Sequence, residues 1–492
     1  MTDILFTHSY FLHFDPKEYK AMMPYPPLGT LYAASVARAA GYSVQLFDSM
    51  LATNEDEILP VIREHRPKVV VIYDDDFNYL TKMCLTRMRE AAFTMASLAK
   101  REGCTVIVHG SDAVDHLDKY FNHSVDFVIC GEGEQTLRET LDHLLKNGKA
   151  KEEIPGLAYM SMGTGATNTA RPVVKDLDAL PFPAWDIVDI ERYRSVWKRR
   201  HGFFSVNMVT TRGCPFHCNW CAKPIYGQVY SCRSPRNVVE EMQWLKRTVK
   251  PDHIWFCDDI FGLKPGWVAA FSKEVIDQDA IIPFKCLARV DLLLKEDAVE
   301  NLRKAGCTTV WVGAESGSQK ILDAMDKGTT VKQIYEACRL LKMAGICVGF
   351  FLQYGYPGET RDDIKLTLKM VKECMPDEIG VSVSYPLPGT KFFENVKTQM
   401  GAKHNWTDSQ DLAMMFGGTY HPNFYRVLHK VTHKKFRIWK STELLQKTMK
   451  QPWRFTPQNV RSLAAGIYHR FTLAGMESEM GEFLAEHKHA DS

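Results

Sequence analysis

Short runs of apolar, β-branched residues alternate with longer amphipathic stretches along most of the chain, and this alternation restricts it to few folds. In residues 1–150, five such runs predict strands, while the patterns at 28–40 and 79–101 predict helices between them. Strands that alternate with helices are typical of a doubly wound parallel sheet. Ligands of such α/β sheets bind outside the carboxyl ends of the strands. The five strands are predicted at 4–8, 43–48, 68–76, 105–112 and 126–134.

The rhythm breaks in residues 151–200, which are rich in Gly, Thr and Pro and predict a small β-hairpin followed by a linker. It returns over residues 201–400 with six further strand and helix units, which predict a partial parallel (β/α)6 barrel with its catalytic groups at the strand ends. Residues 401–492 are predicted to be mostly helical. The six barrel strands are predicted at 204–212, 253–259, 284–290, 308–316, 346–355 and 378–390.

Composition excludes several classes of protein. The formal net charge of +2 does not indicate a nucleic-acid or anionic-membrane partner, and we read neither a secretory signal nor a membrane-spanning segment. The 13 cysteines are an odd number scattered over 492 residues, unlike a disulfide framework. We therefore expect a cytoplasmic protein with reduced thiols, most of them buried.

Three cysteines nevertheless lie within eight residues, as CPFHCNWC at Cys214, Cys218 and Cys221. A structural zinc site prefers four ligands, usually in two pairs, and no fourth ligand lies at the usual spacing. A redox dithiol needs only two cysteines. Three thiolates suit a cubane iron–sulfur cluster that keeps one iron open for a further ligand. Because this loop follows the first barrel strand, the predicted cluster lies at the catalytic end of the barrel.

This motif resembles the Cys-x3-Cys-x-aromatic-Cys signature of radical S-adenosylmethionine (SAM) enzymes, with Trp220 at the aromatic position. The later motifs resemble, in order, those of the branch of that family that carries an N-terminal cobalamin domain. The resemblance covers about residues 1–400. The motifs are FCDDIF (256–261), ARVD (288–291), GAESGSQ (313–319), GYPGET (355–360), YPLPGT (385–390) and, in the N-terminal domain, GEGE (131–134).

The resemblance implies that Cys214, Cys218 and Cys221 hold a [4Fe–4S] cluster whose open iron binds the amino and carboxylate groups of SAM. Electron transfer then cleaves SAM to methionine and a 5′-deoxyadenosyl radical. We predict that Asp258 or Asp259 receives the SAM ammonium group by a charge-assisted hydrogen bond. The alternative for both aspartates is a helix cap or a surface turn.

The other predicted SAM contacts also lie at strand ends. Arg289 would bind the SAM carboxylate with its planar fork, or would form a structural ion pair. Glu315 and Ser316 stand where the family contacts the ribose or the amino-acid part of SAM. Gly355 and Pro357 are expected, with Gly358, to shape the backbone around adenine.

The N-terminal domain has no Asp-x-His-x-x-Gly motif, whose histidine binds cobalt in many cobalamin domains. The branch that this chain resembles often lacks the motif too, so the resemblance still implies cobalamin binding and leaves the lower ligand of cobalt open. The loop after the third strand would face the lower side of the corrin. Loops after the fourth and fifth strands would hold the nucleotide tail through backbone groups. The alternative is a flavodoxin-like domain that binds nothing. The predicted contacts are Tyr73, Asp74, Asp75, Gly110, Ser111, Gly131, Glu132 and Gly133.

The expected function is a cobalamin-dependent radical SAM methyltransferase, which transfers a methyl group from methylcobalamin to an unactivated carbon of a small molecule. An external reductant such as flavodoxin or ferredoxin would supply the electron, and nucleic acid is not an expected partner. One alternative is a non-methylating enzyme of the same cofactor set, such as a porphyrin cyclase or a ring-rearranging enzyme. Another is a methylthiotransferase, although Cys84, Cys104 and Cys130 lack its cysteine spacing.

Two further interpretations concern side chains outside these motifs. The basic stretch 425–440 predicts a helix in which His429 and His433 share a solvated face. Cys257 and Cys286 are interpreted as buried structural thiols.

Overall fold

The computed structural model describes residues 2–223, 225–295, 297–450 and 457–490. Two separate sheets dominate the part of the chain that it describes. Among the described helices, none has the length and apolar content needed to cross a membrane. All 13 cysteines are free thiols.

The first sheet has seven strands in the order β2-β1-β3-β4-β5-β6-β7. Its first five strands are parallel, and this confirms the doubly wound α/β prediction. The predicted hairpin is β6–β7, and it extends this sheet because β6 pairs antiparallel with β5. The strands are β1 Ile4–Thr7, β2 Val44–Leu46, β3 Val69–Tyr73, β4 Thr105–His109, β5 Phe127–Ile129, β6 Leu157–Ser161 and β7 Thr164–Thr167.

Helices cover both faces of this sheet, and β3 between them is buried at every position. The prediction of one helix over 79–101 is wrong at Cys84, where φ of +53° separates α4 from α5. Distant residues hold this turn, since the Tyr385 hydroxyl donates to the carbonyl of Met83 over 2.8 Å. The helices are α1 Pro16–Ala21, α2 Leu28–Ala39, α3 Ile58–His65, α4 Tyr79–Lys82, α5 Thr86–Arg101, α6 Ser111–Asp115, α7 Leu117–Phe121 and α8 Glu134–Lys146.

The second sheet has six parallel strands in the order β15-β14-β13-β12-β11-β8, as predicted for a partial barrel. A separate two-stranded ribbon, β9–β10, frames the cysteine loop. The strands are β8 Ser205–Met208, β9 Thr211–Arg212, β10 Ser231–Cys232, β11 His253–Phe256, β12 Phe284–Ala288, β13 Cys307–Glu315, β14 Cys347–Tyr354 and β15 Glu378–Val383.

Amphipathic helices link the barrel strands, and several begin at side-chain caps. Ser234 caps α10 ahead of Pro235, and Thr330 and Thr360 form capping boxes at α15 and α16. The helices are α9 Ile190–His201, α10 Pro235–Thr248, α11 Trp267–Asp277, α12 Val290–Leu293, α13 Ala298–Lys304, α14 Gln319–Ala324, α15 Val331–Met343, α16 Arg361–Cys374 and α17 Lys391–Val396.

The C-terminal part is helical as predicted, with α18 (Pro422–Lys450) packed along α19 (Pro457–Ala490). His429 and His433 share a face as predicted, with ring centres 4.7 Å apart, but this face is half-buried and not solvated. Helix α18 lies against the edge strand β15, and burial lowers the pKa of both imidazoles to about 4. The sequence does not reveal this because the covering strand is distant along the chain.

The connection between β15 and α18 returns to the N-terminal domain. The carbonyl of Trp406 accepts a hydrogen bond from the Thr86 amide at 2.9 Å, and its indole stacks on Tyr385 at 4.4 Å. The Ser409 hydroxyl donates to Asp15 over 2.7 Å. The segment between β15 and α18 therefore connects the second sheet to the N-terminal domain.

Candidate active site

The cysteine loop begins immediately after β9 at the carboxyl end of the second sheet. Cys214 is buried, and Cys218 and Cys221 are half-buried. Gly213 before them has φ of +76°, and a Cβ there would collide with the carbonyl oxygen of Val229. Glycine is therefore required at the entrance to the loop.

Barrel residues hold the middle of this loop through Asn219. Its backbone amide donates to the carbonyl of Met325 at 3.0 Å, and its side chain donates to the carbonyl of Ala324 at 2.7 Å. The Tyr356 hydroxyl donates to Asn219 Oδ1 over 2.8 Å. These bonds fix the backbone next to Cys218, so the loop is a defined structure.

In the part of the chain that the structure describes, no three His, Cys, Asp or Glu side chains converge on a single metal position. A cubane cluster binds each thiolate to a different iron, so its ligands need not converge on one ion. Among the described residues, the three thiols are therefore compatible with a cluster.

Asp258 and Asp259 follow β11 but have different surroundings. Asp258 is buried and accepts hydrogen bonds from the amides of Thr210 and Thr211, each at 2.7 Å, and from the Thr210 hydroxyl at 2.8 Å. Burial raises the pKa of Asp258 to about 6. Asp258 thus fastens the backbone before the cysteine loop, while the Asp259 side chain is 37% exposed.

Arg289 lies under the cysteine loop, with its guanidinium 3.6 Å from the ring centre of Phe216. Its Nε donates to Asp291 at 3.0 Å and its Nη1 to the carbonyl of Lys327 at 3.1 Å. The structural ion pair that we considered for Arg289 is therefore present. Its role toward SAM stays a prediction.

Glu315 ends β13 in the left-handed region, with φ of +54°, and pairs with Lys327 at 2.7 Å. A side chain at Gly313 would occupy the space that this pair fills. Although burial opposes it, the charge of Glu315 raises the pKa of Lys327, and the nearby Cys218 adds to this effect. A non-glycine residue in this strained conformation is typical of functional sites. Sequence reasoning did not single out Lys327.

Ser316 and the GYPGET loop complete the barrel side. Ser316 Oγ lies 3.1 Å from the hydroxyl of Thr367 on α16, within the protein interior. Gly355 has φ of +77° and lies under Tyr425 of α18, while Pro357 is exposed. The side chain of Trp220 has its indole Nε1 buried without a hydrogen-bond partner among the described residues.

The loop after β3 is buried, and its polar atoms have partners in the protein. Tyr73 stacks on His109 at 4.0 Å. Asp74 accepts from the amide of Ser9 at 2.8 Å, and Asp75 accepts from the amide of Gly29 at 2.9 Å. These residues build the carboxyl edge of the first sheet; whether they contact a corrin is still a prediction.

The loops after β4 and β5 contain glycines with positive φ and one buried hydroxyl group that lacks a hydrogen-bond partner among the described residues. Gly110 and Gly131 have φ of +149° and +75°. Ser111 Oγ is buried and has no partner among the described residues, so a polar group from a ligand would satisfy it. Gly133 packs directly against Tyr73 and His109, where a side chain would collide.

Glu132 faces away from these loops and enters a buried ion-pair network with Arg212, the residue two positions before Cys214. Arg212 bonds Glu132 and also Glu134, the latter at 2.6 Å, with all three side chains at most 5% exposed. Although burial opposes it, the charge of Arg212 holds the pKa of Glu134 below its ordinary value. We call this network the Arg212 joint. Both GEGE and TTRGC are visible in the sequence, but their pairing is not.

A second contact between the domains also escaped sequence reasoning. Lys82 of α4 bonds Asp259 at 2.6 Å, and we call this contact the Lys82 bridge. The Lys82 side chain is 21% exposed. The carboxyl edges of the two sheets therefore face each other. The Arg212 joint connects them just before the cysteine loop, and the Lys82 bridge connects them at the end of β11.

Comparison with known proteins agrees with this site. Residues 208–371 match the model of the Radical SAM superfamily. The chain therefore contains a radical SAM domain, and the enzymes of that superfamily use a [4Fe–4S] cluster and SAM.

Two curated relatives extend the likeness beyond that domain. An uncharacterized methyltransferase of Pyrococcus horikoshii is 29% identical over 375 residues, which cover 75% of this chain and 78% of that protein. The anaerobic magnesium-protoporphyrin IX monomethyl ester cyclase of Rubrivivax gelatinosus is 26% identical over 76% of this chain and 66% of the cyclase.

One solved structure shares the fold across both sheets. The cobalamin-dependent SAM radical enzyme OxsB, solved with aqua-cobalamin bound, superposes with a TM-score of 0.73 at 16% identity. The match covers 97% of this chain and 72% of OxsB. The N-terminal and barrel architecture is therefore that of OxsB.

Proposed function

We propose that this chain is a cobalamin-dependent radical SAM methyltransferase that methylates an unactivated carbon of a small-molecule substrate. The observation that carries the proposal is the meeting of two carboxyl edges, one from each sheet, across the Arg212 joint and the Lys82 bridge. Ligands of parallel sheets bind at such edges. Two cofactors bound there would face a common space.

The residues present suit both cofactors. Cys214, Cys218 and Cys221 would hold the cluster, and the orphaned Ser111 hydroxyl and the Gly110 and Gly131 turns would receive the polar tail of cobalamin. When bound, the cluster with SAM supplies the radical and cobalamin supplies the methyl group. The protein contributes orientation and exclusion of water.

Within the site, the chain's own groups would position SAM. Asp259 and the Glu315–Lys327 pair offer carboxylate and ammonium groups at the ends of β11 and β13, which suits a ligand carrying both ammonium and carboxylate groups. Arg289 stiffens the loop from below by its contact with Phe216. An external reductant such as flavodoxin or ferredoxin would deliver the electron.

A second candidate is a non-methylating reaction with the same cofactors. The resemblance to the protoporphyrin cyclase favours it, since that relative matches 76% of this chain. The two candidates differ in whether a methyl group enters the product.

The test is anaerobic reconstitution with iron, sulfide and cobalamin, followed by an absorption spectrum and turnover of SAM carrying a deuterated methyl group. We expect about four irons per chain, bound corrin, 5′-deoxyadenosine, and a deuterated product from a small-molecule extract. The matched variants are Cys214→Ala, which should lose the cluster, and Cys347→Ala, an exposed thiol outside the site, which should keep it.

Each result bears on one part of the proposal. SAM cleavage with bound corrin but without methyl transfer would favour the cyclase-like reaction. Cluster formation without corrin binding would exclude both cobalamin reactions. An iron content near eight per chain would point to a methylthiotransferase, which needs a second cluster.

A further inference from the structure

The Lys82 bridge joins the N-terminal domain to the strand end that is predicted to receive the SAM ammonium group. Lys82 Nζ lies 2.6 Å from Asp259 Oδ1. The side chains are 21% and 37% exposed, so solvent and small ligands reach this pair. The neighbouring Asp258 is committed to Thr210 and Thr211, which leaves Asp259 as the accessible carboxylate after β11.

The bridge also lies close to the cysteine loop. Asp259 directly follows Asp258, which accepts hydrogen bonds from the amides of Thr210 and Thr211, four and three residues before Cys214. The bridge is therefore adjacent to the position at which a cluster would bind SAM.

We propose that Lys82 occupies, in the SAM-free protein, the position on Asp259 that the α-ammonium group of SAM takes, so that the two ammonium groups compete. The inference rests on the SAM-binding part of the proposed function. Both groups are ammonium cations that donate to a carboxylate, and on this proposal both approach Asp259 at Oδ1, the oxygen that Lys82 holds. Binding of SAM then releases Lys82 into the space between the domains.

The released ammonium group would remain near the buried carboxyl group of Asp76. Asp76 lies at the end of the first sheet, and its carboxylate already interacts with Lys82. Burial raises the pKa of Asp76, with Glu134 adding to the effect. Lys82 is thus a positioning residue that acts through Asp259. Its side chain would leave Asp259 when SAM binds, and no covalent bond would form or break.

The experiment measures SAM affinity by anaerobic equilibrium dialysis on the full-length chain with a reconstituted cluster and no reductant. We expect Lys82→Met to bind SAM about three- to tenfold more tightly, since a partly exposed ion pair is a modest competitor. Lys82→Arg should stay within about twofold of the wild type. Asp259→Asn should bind about tenfold or more weakly, because it loses the charge-assisted bond.

A double variant and a control separate competition from a structural effect. The Lys82→Met/Asp259→Asn variant should match Asp259→Asn, because Lys82 acts through Asp259. The control is Lys100→Met, which removes a similarly exposed pair with Asp126 at 2.9 Å on the N-terminal domain, and it should leave SAM affinity unchanged. Iron content measured on each sample shows that the cluster is retained.

Three outcomes would overturn the inference. Unchanged SAM affinity in Lys82→Met would show that the bridge is independent of SAM, and weaker affinity would show that Lys82 itself contacts SAM. Full affinity in Asp259→Asn would remove Asp259 from the site. These results leave the proposed function intact, whereas a cluster-loaded wild type that binds no SAM would overturn both.

Discussion

The Arg212 joint and the Lys82 bridge connect the same two domains but differ in their exposure to water. Arg212, Glu132 and Glu134 are at most 5% exposed, and the guanidinium lies 5.4–5.7 Å from the ring centres of Tyr32, Phe77 and Tyr226. Lys82 and Asp259 are 21% and 37% exposed. Breaking the first contact would leave charges in an apolar interior, while breaking the second returns them to solvent.

This difference separates a fixed connection from an exchangeable one. Removing one partner of a buried pair is costly because the remaining charge is uncompensated. A partly exposed pair is weaker because water competes for both groups. The structure therefore places a permanent link before the cysteine loop and a replaceable link where SAM is expected to bind.

The largest effect is expected from Arg212→Met, which leaves Glu132 and Glu134 buried without their cation. We predict a loss of about 3–5 kcal/mol in the free energy of unfolding, measured by urea titration of the cluster-free chain. The control Arg38→Met removes an exposed pair with Asp186, and it should cost less than about 1 kcal/mol. Equal effects of the two variants would contradict the fixed connection.

A smaller effect is expected at Glu359, which is as buried as the Arg212 joint but has one oxygen without a hydrogen-bond partner among the described residues. Burial raises the pKa of Glu359 to about 8. Its folded-state pKa exceeds the unfolded value, so the folded chain holds an extra proton between about pH 4.5 and 8. The wild type should therefore lose stability as the pH rises through this window.

The variant Glu359→Gln resembles the protonated acid and should not show this loss. We expect it to be about 2–4 kcal/mol more stable than the wild type at pH 9 and nearly equal to it at pH 5. Glu336→Gln is the control, since Glu336 is an exposed partner of Arg339. A pH-independent difference between Glu359→Gln and the wild type would show that the Glu359 carboxyl is ionised throughout.

The smallest effect is expected from Lys82→Met on the stability of the SAM-free chain. Because the bridge is partly exposed, its loss should cost less than about 1 kcal/mol, as should Lys100→Met. Both are measured by urea titration beside Arg212→Met. A loss of several kcal/mol in Lys82→Met would make the bridge a second fixed connection and would remove the contrast.

The sequence predicted the alternating strands and helices. It also predicted the cluster loop, because the three cysteines are close together in the chain. Both parallel sheets and the hairpin could be read from apolar runs, since such runs must be buried whatever else the chain does. The three cysteines lie within eight residues, so their common role needed no tertiary structure. The single helix over 79–101 failed at Cys84 because residues about 300 positions away hold the turn there.

Tertiary structure alone decided the partners of the charged residues. Arg212 and Glu134 are 78 residues apart, and Lys82 and Asp259 are 177 apart. Nothing local distinguishes these side chains from solvated ones, because a charge becomes costly only when folding removes its water. The amino-acid pattern by itself therefore determined two sheets and a cluster loop, and packing decided which charged pairs between the domains are buried and which stay partly exposed.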